Sequence, residues 1–205
     1  TFNYAYSAEL IRNSAGSRHK VRKRVLAFAP AMPLSGTQNN DTIDLPALPG
    51  TVDEVNYIKR KIKSDLFMRE AATEQNFRRH AADYQILHLA MHTLINDSVP
   101  LFSRLAFYPG TSDSLENDGW LNTSDIYNLK LNARMAVLSA CRSGGGKLQQ
   151  GEGLMSLARS FFFAGCPSVV LSLWEVEDRS GTEIMKTFYR NLKYGRPKDT
   201  ALRNA

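Results

Sequence analysis

Four short apolar runs occur along the chain, and stretches with helical periodicity lie between them. The runs cover residues 24–30, 84–90, 135–141 and 168–174. They are continuously apolar rather than alternating, which is typical of strands buried on both faces of a parallel sheet. Strands that alternate with helices imply βαβ units. The pattern therefore predicts an α/β sandwich with a mostly parallel central sheet.

Four segments predict helices. The patterns Thr51-Val-Asp-Glu54 and Ser180-Gly-Thr-Glu183 are capping boxes, each of which predicts a helix start. Another helix is expected to begin near Thr73, and a further one to span 151–165 and stop at Gly165. The positions expected to face the core are Val55, Ile58 and Ile62, then Phe77, then Leu154, Leu157, Ala158 and Phe161, and finally Ile184, Met185, Phe188 and Leu192.

Three further segments lack a clear period or are short. Residues 30–50 are rich in Pro and Gly and predict a long surface loop. Residues 103–108 predict an extra antiparallel strand. A second loop over 109–119 is expected to end in an Asp118-Gly119 turn.

Composition places the chain among globular proteins, since hydrophobic residues make up 43% and charged residues 22% of its 205 positions. This length predicts a single domain over 1–205. The longest apolar stretch is broken by Gly165 and Pro167 and is too short to span a bilayer, and no signal peptide is recognised at the start, so no membrane partner is expected. Two cysteines cannot build a disulfide framework and favour a reducing, cytoplasmic location.

The positive charge is concentrated at one end of the chain. The formal net charge is +6, but residues 1–24 carry six Lys or Arg against Glu9, which is +5. A basic cluster of this kind can bind nucleic acid. A solvated segment is the favoured interpretation, because no aromatic stacking pattern accompanies the cluster. Nucleic acid is therefore not the expected partner.

Three polar residues follow the predicted strands. His92 comes two residues after the second run, Cys141 closes the third, and Asp178 follows the fourth. Ligands of open α/β sheets bind beyond the carboxyl ends of the strands, so parallel strands would bring all three to one edge. This convergence predicts a site there.

The residue types suit acyl transfer. A thiol becomes a strong nucleophile when it loses its proton, and a neighbouring imidazole can take that proton. Cys141 precedes Arg142, whose charge favours the thiolate, and a glycine run that allows a backbone N–H to face an oxyanion. His92 would be the general base and then the acid for the leaving amine. A backbone carbonyl could orient it in place of an Asp.

Structural interpretations compete with this assignment. A cysteine at a strand end is more often an inert core residue. His88 is best interpreted as a core histidine, and Cys166 as buried filler. A metal site is disfavoured because the cysteines are not paired in sequence. The segment 144–147 departs from the spacing of a phosphate-binding loop.

Several motifs together resemble one family. They are HLAMH at 88–92, LSACRSGGG at 138–146 and GEGLMSLARSFFFAGCPSVVLSLWEVED at 151–178. They resemble the CHAT domain, a caspase-like cysteine peptidase domain of the clan that includes caspases and separase. The resemblance covers nearly the whole chain. It implies a caspase/separase-like three-layer sandwich, with a mostly parallel central sheet flanked by helices, and no cofactor.

The resemblance also implies roles for particular residues. His92 and Cys141 match the catalytic dyad, and the backbone N–H groups of Thr93 and Cys141 match the oxyanion hole. The segment 173–178 resembles the part of separase where an acid lies by the pocket for a basic side chain. Asp178 is the first candidate for that acid, with Glu175 and Glu177 as weaker ones, and Trp174 is a further candidate for a substrate contact. The implied function is a cysteine endopeptidase that acts on a protein substrate, with no metal.

The sequence departs from the family pattern beside both members of the dyad. Thr93 stands where Gly is usual, and Arg142 and Ser143 stand where a small residue and Thr are usual. A catalytically silent interaction or sensor domain is therefore the alternative. CHAT domains commonly follow tetratricopeptide-type repeats, which are expected as the partner region, and the domain is expected to be truncated at both ends.

Overall fold

A five-stranded parallel sheet forms the centre of the molecule, in strand order β10-β9-β5-β1-β4. The structure is a computed structural model, and it describes residues 23–38, 41–110, 118–139, 151–172 and 177–205. The strands of the central sheet are β1 Lys23–Ala29, β4 Ser64–Met68, β5 Tyr84–Leu89, β9 Met135–Leu138 and β10 Val169–Leu171. The prediction of a parallel sheet built from the four apolar runs is confirmed.

Six α-helices are described. They are α1 Pro49–Lys61, α2 Glu74–His80, α3 Thr123–Tyr127, α4 Glu152–Phe163, α5 Asp178–Lys193 and α6 Lys198–Arg203. Single 3₁₀ turns lie at Arg69–Ala71, Ala81–Asp83 and Pro100–Phe102.

Helices cover both faces of the sheet. On one face, Phe77 of α2 and Leu157 and Phe161 of α4 belong to one apolar cluster with residues of the central strands. On the other face, Ile58 of α1 and Phe188 of α5 pack with the alternate strand residues. This arrangement is the α/β sandwich of caspase-like type that the sequence predicts.

Two small antiparallel sheets accompany the central one. A hairpin joins β2 Leu34–Gln38 to β3 Asp41–Leu45. A second sheet consists of β6 Thr93–Leu94, β7 Arg104–Ala106 and β8 Trp120–Asn122. The extra antiparallel strand expected within 103–108 is therefore confirmed as β7.

Two predictions about the strands are wrong. Residues 30–50 were expected to form a loop, but they contain the β2–β3 hairpin, and Leu34 and Leu45 are buried. The central strand β4 has no counterpart among the predicted runs. It begins with Ser64 and Asp65, so only three apolar residues follow one another in this strand, too few to stand out as a run.

Both capping-box predictions place the helix start three residues too late, because the N-caps are Leu48 and Glu177 instead of Thr51 and Ser180. Helix α1 begins at Pro49, and the Thr51 hydroxyl donates to the carbonyl of Leu48 instead of capping the helix. Helix α5 begins at Asp178, with Ser180 inside its first turn. Ile184, expected in the core, is 37% exposed.

Other helix predictions are confirmed. Helix α2 has Thr73 as its N-cap, and its buried Phe77 faces the core. Gly165 ends α4 with a φ of +105°, a conformation that glycine adopts without strain. The basic cluster lies in residues 1–24, which fall outside the described residues or have no described side chains. Among the described helices, none combines the length and the apolar composition that crossing a bilayer requires.

Candidate active site

His92, one residue of the site predicted from sequence, lies at the edge of the sheet where the strand order changes direction. From β1 the chain passes to β4 on one side and then to β5 on the other, so the crevice beyond the carboxyl ends of β1 and β5 is the switch point. Ligands of open α/β sheets bind at such a crevice. His92 lies three residues beyond the end of β5, at this edge.

His92 is held by a backbone carbonyl. Its Nε2 is 2.7 Å from the carbonyl oxygen of Pro46, which lies between β3 and α1. Because a carbonyl only accepts, Nε2 carries the proton and donates it. The side chain is 3% exposed. The expectation that a backbone carbonyl could orient this imidazole agrees with the geometry.

The surroundings of His92 favour its neutral form. Burial lowers the pKa of His92 below its ordinary value, and the Pro46 carbonyl and the Asp178 carboxylate offset part of that effect. An imidazole that is neutral at physiological pH can accept a proton, which a general base must do.

Asp178 is the first residue of α5, and it bonds to the start of α1. Its Oδ2 accepts a hydrogen bond of 2.7 Å from the backbone N–H of Gly50. It also acts electrostatically on His92. Asp178 therefore joins two helix starts beside the histidine, a role that the sequence does not show. Its expected role in binding substrate stays a prediction.

Thr93 begins strand β6 directly after His92 and pairs with Leu105 of β7. The carbonyl of His92 accepts from the N–H of Ala106, so both residues are anchored to the small sheet. The Thr93 side chain is 4% exposed, and its hydroxyl has no hydrogen-bond partner among the described residues. Its expected oxyanion role stays a prediction.

A small cavity lies next to Thr93 at the carboxyl edge of β9 and β10. Its volume is about 20 Å³. The lining residues are mostly apolar, and they are Thr93, Ile95, Leu138, Leu154, Leu157, Leu171 and Ser172. This apolar lining was not predicted from sequence, because its members come from β9, β10, α4 and the segment after His92.

Three of the predicted site residues, Cys141, Trp174 and Glu175, lie outside the described residues, as does Arg142. The strand that leads to Cys141 is described. Leu138, the last residue of β9, is paired with Leu89, the last residue of β5, and the N–H of Ser139 donates to the Leu89 carbonyl. Cys141 is thus three residues beyond Leu138, and His92 is three residues beyond Leu89, the position paired with it.

The other cysteine and histidine have structural surroundings. Cys166 is fully buried, and burial raises the pKa of its thiol to about 11. His88 is fully buried, with Glu54 on one side of its ring and Tyr189 on the other. Both agree with the interpretation of these residues as parts of the core. Within the described ranges, no group of three or more His, Cys, Asp or Glu could hold a metal ion.

Sequence reasoning missed two residues that hold the site together. Pro46 contributes a carbonyl and Gly50 an N–H, and backbone groups leave no signal in residue type. Pro46 and Gly50 belong to the range 30–50, whose Pro and Gly residues predict only a long surface loop.

Comparison with known proteins gives one family match over the whole chain. A family model described as the CHAT domain matches residues 1–205. Tetratricopeptide repeat protein 28 of Mus musculus is 31% identical over 75 residues, and the Homo sapiens protein of that name is 29% identical over 85 residues. These matches cover 37% and 42% of this chain, but only 3% of each relative. A flavodoxin structure from Streptococcus pneumonia gives a TM-score of 0.42 at 13% identity, covering 84% of this chain and 99% of that one.

Proposed function

Because the chain belongs to the CHAT-domain family, which is related to caspase-like peptidases, we propose that it is a cysteine endopeptidase with Cys141 as nucleophile and His92 as general base. The observation that carries this proposal is the setting of His92. The imidazole is buried, its pKa is lowered, and the Pro46 carbonyl accepts the Nε2 proton. A ring fixed in this way presents Nδ1 as the nitrogen that exchanges a proton with the thiol.

The parallel sheet supports the pairing of these two residues. Neighbouring strands lie about 4.8 Å apart. His92 and Cys141 each follow one of two paired neighbouring strands by three residues, and this spacing supports a meeting of the two chain segments at the same edge.

The proposed reaction proceeds in two stages. The Cys141 sulfur attacks the carbonyl carbon of the scissile peptide while His92 takes the thiol proton. A C–S bond forms, the C–N bond breaks, and His92 gives the proton to the leaving amine. Water then attacks the carbonyl carbon of the thioester while His92 takes one of its protons. The C–S bond breaks, the carboxylic acid leaves, and His92 returns the proton to the Cys141 sulfur.

We propose a protein substrate with a basic side chain next to the cleaved bond. The support is the acidic segment from Glu175 to Asp178, and Asp178 holds its charge in a fixed position through the Gly50 N–H. Profiling a peptide library tests this preference. A preference for acidic or large apolar side chains at that position would reject it.

A tetratricopeptide-type repeat region is the proposed partner, on the same chain or on another one. The support is the similarity to two proteins whose names contain that repeat, although the match covers 3% of their length. Binding of a repeat array to this chain would be measured by calorimetry.

A catalytically silent interaction domain is the second candidate, and Thr93 favours it. Thr93 occupies the position where the family usually has Gly, and its backbone is committed to strand β6. That pairing limits how far its N–H can turn toward an oxyanion.

Selective alkylation of cysteine distinguishes a peptidase from a catalytically silent domain, and an assay of peptide cleavage tests the peptidase directly. An activated Cys141 should react with iodoacetamide at neutral pH much faster than Cys166, which is buried with a raised pKa and serves as the internal control. The variant Cys141→Ala should keep its fold and lose all peptide cleavage. Unchanged cleavage by that variant, or equally slow labelling of both thiols, would reject the peptidase.

A further inference from the structure

A buried polar cluster lies beneath the candidate site and takes no part in the proposed chemistry. It consists of Glu54 on α1, His88 on β5 and Tyr189 on α5. His88 Nδ1 is 3.0 Å from the Tyr189 hydroxyl, and His88 Nε2 is 2.7 Å from Glu54 Oε1. Glu54 is 2% exposed, and the other two side chains are fully buried.

One hydrogen bond and one close contact hold this cluster together. Burial and the nearby charge of Glu54 raise the pKa of Tyr189 well above its ordinary value, so its hydroxyl keeps the proton. That hydroxyl forms a hydrogen bond with Nδ1 of His88, whose direction follows the tautomer of the imidazole. The contact with Glu54 is short, but it does not have the alignment of a regular hydrogen bond.

Stability alone gives no reason for this cluster. Its surroundings are apolar, with Ile58, Val137 and Phe188 among its neighbours on this face of the sheet. Replacing a buried ionic group with well-packed apolar side chains is often neutral or stabilising. Directional contacts between polar groups on three elements fix the position and orientation of those elements more strictly than apolar packing does.

Each member of the cluster lies on an element that contains or leads to a group of the candidate site. Glu54 is one helical turn from Gly50 on α1, and Tyr189 is three turns from Asp178 on the same side of α5. His88 points to the face of β5 that packs on these helices, and the chain reaches His92 four residues later. The cluster thus joins α1, β5 and α5 in the core, and the site joins the same three segments at the edge.

We propose that Glu54, His88 and Tyr189 are positioning residues that fix α1 and α5 against β5, and thereby hold the Pro46 carbonyl on the His92 ring and the Asp178 carboxylate at a fixed place near it. The proposal rests on the proposed function in that His92 is the base. The cluster acts through the two helices, and none of its members contacts the reacting atoms.

The variants Tyr189→Phe and Glu54→Gln test this role with little change in shape. Tyr189→Phe keeps the ring that packs edge-on to His88 and Phe188 and removes only the hydroxyl. Phe188→Leu is the matched control. Phe188 is a fully buried neighbour on the same helix and carries no polar group, and its truncation is expected to destabilise the protein. Tyr194→Phe, at a site that is 77% exposed, controls for removing a phenol.

The main measurement is the NMR signal of the His92 ring in the full chain carrying Cys141→Ala. We expect the Nε2–H proton of His92 to exchange with water at least about tenfold faster in Tyr189→Phe and Glu54→Gln, while both controls keep the parent rate. In the chain that retains Cys141, kcat should fall about 10- to 100-fold in the two variants with KM nearly unchanged.

Unchanged His92 exchange in folded Tyr189→Phe and Glu54→Gln would overturn the inference, as would an equal change in Phe188→Leu. The NMR measurement needs no catalysis. Absence of cleavage by the parent chain would therefore reject the proposed function, and the exchange rate of the His92 ring proton would still test the positioning role of the cluster.

Discussion

The contact between Gly50 and Asp178 predicts that Gly50→Ala destabilises the protein. A Cβ added at residue 50 would lie 2.6 Å from Oδ2 and 2.8 Å from Cγ of Asp178. The carboxylate cannot stay where it accepts the Gly50 N–H at 2.7 Å once that Cβ is present. It must rotate away, and the hydrogen bond between the two helix starts is lost.

Two opposing effects set the magnitude. Loss of a hydrogen bond to a charged group costs about 1.5–3 kcal/mol. Alanine is favoured over glycine within a helix by about 0.5–1 kcal/mol, and residue 50 is the second residue of α1. The net expectation is a loss of about 1–2 kcal/mol in the free energy of unfolding. Asp178 would also act less strongly on His92, so the pKa of His92 should fall further.

A double-mutant cycle in urea isolates this contact. The four proteins are the parent, Gly50→Ala, Asp178→Ala and the double variant, and unfolding is followed by circular dichroism. With alanine at 178 there is no carboxylate to displace, so Gly50→Ala should then be neutral or slightly stabilising. An equal cost of Gly50→Ala in both backgrounds would refute the reasoning.

Three further substitutions test other parts of the fold. Glu74 is buried, and burial raises its pKa from 4.5 to about 7 despite a hydrogen bond from Arg78. The stabilisation from this raised pKa is present below pH 4.5 and is lost as pH rises through about 7, so the parent should lose about 2–3 kcal/mol relative to Glu74→Gln between pH 5 and 8. A constant difference across that range in urea unfolding would contradict this. Gly153→Ala should cost about 2–3 kcal/mol, because the new Cβ would lie 2.7 Å from the backbone carbonyl of Asn96. Gly151→Ala, where a Cβ meets nothing within 4 Å, should cost only about 1 kcal/mol of backbone strain, and thermal melts that reverse this order would count against the packing argument.

The sequence predicts correctly those parts of the fold whose structure follows from the pattern of neighbouring residues along the chain. The runs that became β1, β5, β9 and β10 are apolar on both faces because helices cover both faces of the sheet. Strand β4, Ser64–Met68, begins with Ser64 and Asp65, and the Asp65 carboxylate accepts a hydrogen bond from Tyr84 of β5, so the strand has no continuous apolar run.

The helix starts illustrate what a sequence alone does not contain. The capping-box patterns assume that a side chain three or four residues away satisfies the first N–H groups. At α1 the N–H of Gly50 instead finds Asp178, which is 128 residues away in sequence. Glu54, interpreted as part of a local cap, turns inward to His88. In both cases a tertiary partner replaces the local one.

Within the candidate site, residue type identified the side chains but not their backbone partners. His92 was recognisable from its place after a strand, and its neutral form follows from burial that only the folded chain provides. Pro46 follows the β2–β3 hairpin, whose strands the sequence does not predict. Nothing in the sequence therefore indicated a contact between the Pro46 carbonyl and His92.

The long sequence separation of the contacts around His92 has a consequence for how the protein folds. Gly50 meets Asp178 across 128 residues, and His88 meets Tyr189 across 101. The chain loses conformational entropy when it closes loops of this length, before the contacts across them stabilise the fold. Such contacts therefore form slowly and late. During synthesis the first 170 residues can build β1, β4, β5 and β9 while α5 is still absent. The histidine acquires its carboxylate neighbour only after that helix has left the ribosome and docked.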